Sequence, residues 1–109
     1  MLIVAGLAVF WFAPFGTGES RPSPDTRFTA HASNFSQRTL WGDKQHYIEL
    51  RVVEESSQRE IWRVIRQHSA DANVPDYGTR GIQFVAWAPD SKSVTIPVMS
   101  GRELVLDVP

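Results

Sequence analysis

Residues 84–96 read FVAWAPDSKSVTI, and the chain has already used a close copy, SPDTRFTAH at residues 23–31, 65 positions earlier. Each copy places Pro-Asp ahead of a small hydroxyl residue, a cation and a short strand-like run: Pro24, Asp25, Thr26 and Arg27, then Pro89, Asp90, Ser91 and Lys92. Proline presets φ at the first central position of a turn, and the aspartate side chain accepts hydrogen bonds from the backbone N–H groups that follow. Each copy therefore predicts a tight corner that launches a strand at a fixed angle.

Outward from the corners the hydrophobic pattern has period two. In HYIELRVV (46–53), Ile48, Leu50 and Val52 share one face while Glu49 and Arg51 share the other. This is the alternation of a half-buried strand. ELVLDV (103–108) repeats it with Leu104, Leu106 and Val108. IQFVAWA (82–88) is apolar on both faces, which predicts a central strand or one packed between layers. Val94, Ile96 and Val98 give a further strand, in which Pro97 suggests an edge or a bulge because it lacks an N–H. The segment 57–70, SQREIWRVIRQHSA, supports two readings. Ser57 and Glu60 have the spacing of a capping box, and Ile61, Ile65 and His68 fall on one helical face. Its β-branched residues, its Trp and an upstream hairpin partner favour a strand, which is the reading adopted. The expectation is an all-β fold: an antiparallel up-and-down meander of about six strands, over 27–33, 46–54, 59–67, 82–88, 93–99 and 103–108.

The first fifteen residues, MLIVAGLAVFWFAPF, contain no charge, and the first charged side chain is Glu19. They predict an apolar N-terminal helix, a signal or anchor over 1–16 that ties the protein to a membrane or exports it to a periplasmic or other extracytoplasmic space. Arg21 and Arg27 follow the run instead of preceding it, which leaves the orientation open. The other reading is a first buried strand or helix of the fold. Residues 17–26, rich in Gly, Ser and Pro, read as a linker, and 27–109 as the β-meander domain.

A length of 109 residues fits one domain, and 42% hydrophobic with 21% charged residues fits a folded chain. A net charge of −1 without a basic block argues against nucleic-acid binding. No cysteine is present, which removes disulfides, thiolate metal sites and a cysteine nucleophile.

In Trp87-Ala88-Pro89-Asp90-Ser91-Lys92, followed by Val94-Thr95-Ile96, the corner resembles the turn of TolB-type β-propeller repeats, W-S-P-D-G-K followed by I-A-F. Ser23-Pro24-Asp25-Thr26-Arg27 with Thr29-Ala30-His31 is a looser version. The resemblance extends to ELVLDV and YIELRVVEES, which stand where that family has a strand of the type L-Y-V-V-D. It implies most of one four-stranded blade plus three strands of the next over residues 23–109. Thr26 and Ser91 replace the family's glycine, and fewer than two blades are present where a closed propeller needs at least four.

Chemistry-bearing constellations are sparse. His31, His46 and His68 lack metal-ligand spacing and read as solvated strand or turn histidines. Asp71, Asn73 and Asp76 lack the glycine and closing glutamate of a calcium loop. There is no G-x-S-x-G elbow and no phosphate-cradling glycine loop. Glu54 and Glu55, adjacent in a strand end, point to opposite faces and do not form a shared-proton pair. Trp62 and Trp87 read as core, whereas Trp41, beside Gly42-Asp43, reads as an exposed partner contact or a loop tip folded back on the sheet. The sequence thus points to a non-catalytic interaction domain of propeller-repeat type without cofactor or metal. Its expected partners are a protein or a second copy through sheet edges, and a membrane through residues 1–16. The alternative is an inactive remnant of a larger propeller, such as one associated with a peptidase.

Overall fold

A computed structural model describes residues 15–38 and 40–109. Strands β1 (Phe15–Pro22), β2 (Phe28–Arg38), β3 (Lys44–Glu54) and β4 (Arg59–His68) form one sheet in that order. Strands β5 (Ala86–Trp87), β6 (Ser93–Pro97) and β7 (Glu103–Asp107) form a second. Every neighbouring pair is antiparallel, so the chain is an all-β meander, divided into sheets of four and three strands.

The two sheets are built alike. Pro22 pairs with Thr29 and Arg21 with Ala30. Sixty-five residues on, Trp87 pairs with Val94 and Ala86 with Thr95. After each corner the return strand closes on the same position, through Glu55 N–H to Arg27 C=O and Val108 N–H to Lys92 C=O, both at 2.9 Å. Each unit is therefore a strand, a Pro-Asp corner, a second strand and a return strand, to which the first unit adds β4.

Several expectations change. Residues 17–22, expected as a linker, are strand: β1 runs along β2 from Phe15↔Ser36 to Pro22↔Thr29. Of 82–88 only Ala86–Trp87 pairs, and β5 is an edge strand instead of a central one. Pro97 ends β6, the middle strand, instead of marking an edge. It fits there because its ring faces the side where β5 has already ended, so no partner is left without a donor. The N-terminal helix expected over 1–16 lies outside the described residues except for Phe15 and Gly16, whose backbone opens β1. Among the described residues no helix is long and apolar enough to cross a membrane.

Residues 59–68 are strand, interrupted by a β-bulge. The register of β3 with β4 shifts between Val52 and Val53, so Val53 opposes Glu60 while Val52 opposes Trp62. Ile61 is the extra residue, and the shift lets both Ile61 and Val64 pack on the core although strict alternation would set them on opposite faces.

That core lies between the sheets. Phe28, Ala30 and Ala32 of β2 and Ile48, Leu50 and Val52 of β3 meet Val94 and Ile96 of β6 and Leu106 of β7, with Tyr77 and Val85 filling from the connection. Full burial of a Phe, Leu, Ile or Val side chain stabilises by about 1.5–3 kcal/mol, which makes this seam the main source of cohesion between the units. β2 and β3 have 11 residues each, against 5 in β6 and in β7. Past Ala32 and Ile48 the core-facing positions of the longer sheet turn polar: Asn34, Ser36, His46 and His68.

Candidate functional site

The two corners share one backbone shape. Thr26 N–H and Ser91 N–H each donate at 2.9 Å to the carbonyl three residues back, of Ser23 and Ala88. Arg27 N–H and Lys92 N–H donate to the Oδ1 atoms of Asp25 and Asp90 at 3.1 and 3.0 Å. Thr26 and Ser91 both have φ of 62°, the left-handed region that favours glycine. Asp25 and Asp90, which follow Pro24 and Pro89, thus each hold the backbone N–H two residues on. The corners also meet, because Asp25 N–H donates to Ser91 Oγ at 3.0 Å. The Asp25 carboxyl is held below the usual carboxylate range by hydrogen bonds from the Ser23 hydroxyl and then from Arg27 N–H.

A second junction was not legible in the sequence. Glu19 of β1 is 7% exposed, and its carboxylate accepts Val85 N–H at 2.7 Å and Phe84 N–H at 3.1 Å. Arg21 lies 3.4 Å away. Gly78, at φ +91°, passes so close to β1 that an added Cβ would stand 2.4 Å from the Gly18 carbonyl oxygen. Tyr77 donates its hydroxyl to the Pro97 carbonyl, and burial, then the negative charge of Glu19, pushes its pKa up to about 12. This buried carboxylate clamps the connection before β5 to β1.

The free edges are the accessible features. In the β6–β7 ladder, Val108 N–H bonds Lys92 C=O and Val98 N–H bonds Arg102 C=O, so the backbone groups of Glu103, Val105 and Asp107 point away from β6. One of them is capped: the Trp62 indole N–H donates to Asp107 C=O at 2.7 Å. Trp62 is 40% exposed, a bridge from β4 to β7 and not the core residue expected. Trp87 is half-buried, stacked on Phe28 at 6.5 Å with its indole N–H on Arg21 C=O. Trp41, 89% exposed beside Leu40 at 80%, stands in the turn between β2 and β3, so the folded-back alternative does not hold.

Several other polar residues tie the scaffold together. His31 bonds Ser20 Oγ across β1 and β2, and burial followed by the Arg51 charge lowers its pKa. Asp76 accepts the Thr17 hydroxyl and Asn73 C=O accepts Ser100 N–H, so the 71–76 loop is tied to both sheets. Glu54 and Glu55 take separate partners, Ser57 and Thr29. Among the described residues no group of three or more His, Cys, Asp or Glu converges as metal ligands would. Comparison with protein-family models, curated proteins and solved structures finds no match to the chain.

Proposed function

We propose that the chain is a non-catalytic protein-interaction domain built of propeller-type repeats of the TolB kind, exported or membrane-tethered through its apolar first residues. The observation behind this reading is an edge strand, β7, which has no strand on its outer side among the described residues. The outward backbone groups of Glu103 and Val105 are open on that edge, and the Val105 side chain is 58% exposed. An open edge is a template for an added strand, whose affinity comes from main-chain hydrogen bonds. Trp41 and Leu40 offer a further apolar contact in the turn between β2 and β3.

Val105→Lys tests this, because a charge on an open edge opposes strand addition. Cross-linking and light scattering of the full chain are expected to give a complex or self-associate that the variant loses. A strictly monomeric wild type that captures no protein through β7 contradicts the proposal. The repeated Pro-Asp corner also supports a second reading, a remnant of a larger propeller without activity of its own. Further Pro-Asp-Gly units in the genomic sequence flanking the reading frame would support that alternative.

A further inference from the structure

We propose that His46 and His68 form a two-histidine site for a borderline divalent transition-metal ion such as Zn²⁺ or Ni²⁺. They are directly opposed across β3 and β4, on the same face of the sheet, with ring centroids 5.8 Å apart and the planes tilted by 33°. Two imidazoles bound to one ion through bonds of roughly 2 Å, at a tetrahedral or somewhat wider angle, hold their centroids roughly 5 to 6 Å apart.

The second observation is the protonation pattern of His68. Its Nδ1 lies 2.8 Å from the Ser69 backbone carbonyl, and since a carbonyl oxygen only accepts, Nδ1 carries the hydrogen. In the neutral ring Nε2 then holds the lone pair. That atom is buried and has no hydrogen-bond partner. A buried acceptor left unsatisfied demands an explanation, and a ring whose other nitrogen donates to a backbone carbonyl has the arrangement that orients a metal-ligating histidine.

The surroundings set the class of ion. Lys44, Gln45, Gln67 and Ser69 border an open cleft at the pair, and among the described residues no carboxylate joins it. Hard ions such as Mg²⁺ and Ca²⁺ need oxygen ligands, whereas imidazole suits zinc and nickel. Two protein ligands leave the other coordination positions to water or to a group brought by a partner. The bulge at Ile61 creates the pair, because without the one-residue shift His46 would oppose Gln67 and His68 would face the other side.

The test is titration of the metal-free full chain, in non-ionic detergent, with zinc or nickel chloride, followed by calorimetry and by NMR of the histidine rings. One saturable ion per chain is expected, shifting the His46 and His68 ring signals together and leaving those of His31 in place. His46→Asn and His68→Asn should each weaken binding by about tenfold or more, and His31→Gln should leave it unchanged. Magnesium chloride should shift none of the rings. The ring signals of the folded wild type decide the matter even if a variant fails to fold. Absence of saturable binding at millimolar zinc, a shift of only one of the two rings, or affinity that survives both asparagine variants would overturn the assignment.

Discussion

The two Pro-Asp corners have the same backbone and different duties. At the first, the Ser23 hydroxyl donates to Asp25 Oδ1 at 2.7 Å and accepts Phe28 N–H at 3.1 Å, and Ser23 is 2% exposed. At the second, the matching residue is Ala88, which has no hydroxyl to offer. The link between them runs one way, from Asp25 N–H to the Ser91 hydroxyl. Proline, the aspartate side chain and a left-handed third residue suffice to shape the turn. What the turn holds in place depends on the flanking side chains.

Four experiments break or sharpen that contrast. The largest effect is expected where the units touch beside the corners. Gly78→Ala would drive a Cβ into the Gly18 carbonyl at a φ of +91°, and denaturant unfolding should register a loss of about 3 kcal/mol or more. A loss under about 1 kcal/mol would mean that the connection yields and that the clamp is not rigid. Next comes Ser23→Ala, which converts the first corner's side-chain pattern to that of the second. It leaves the buried Phe28 N–H with the loss of one acceptor, so about 1–2 kcal/mol should go, and no loss would make the two corners equivalent.

The left-handed residues separate the corners by sign. Thr26→Gly relieves a β-branched residue at φ 62° and should stabilise by up to about 1 kcal/mol. Ser91→Gly relieves the same strain but removes the acceptor of Asp25 N–H, so its net effect should be zero or destabilising. Equal gains at both sites would deny the link between corners. The smallest effect is that of acid. Because the folded-state pKa of Asp25 is lowered, its contribution is complete above the unfolded value of 3.8 and disappears as pH falls through the folded value. Asp25→Asn should flatten the stability profile below about pH 4, whereas an unchanged slope would place the acid sensitivity elsewhere.

Much of the fold was legible because its signals are short-range. Ile48, Leu50 and Val52 alternate with Glu49 and Arg51, and in the structure the first three are buried at 2% or less. β1 was not legible: GTGESR has weak strand propensity, and it is held by pairing with β2 and by Glu19 meeting the Phe84 and Val85 amides. The central place expected for 82–88 failed for a similar reason, since apolar character predicts burial but not which neighbour supplies the hydrogen bonds. Of the candidate site, Trp41 and the corner residues could be named in advance. Trp62, Glu19 and the histidine pair could not, as their roles depend on contacts across strands and sheets.

By itself the amino-acid order determined the corners and the alternation, because proline's ring, the aspartate's reach to the next amides and side-chain period two all act within a few neighbouring residues. The tertiary structure decided the division into two sheets, the strand state of residues 15–22 and the one-residue bulge that sets His68 opposite His46. Those outcomes depend on burial and hydrogen bonding between residues tens of positions apart, where shifting a strand by a single residue exchanges its two faces.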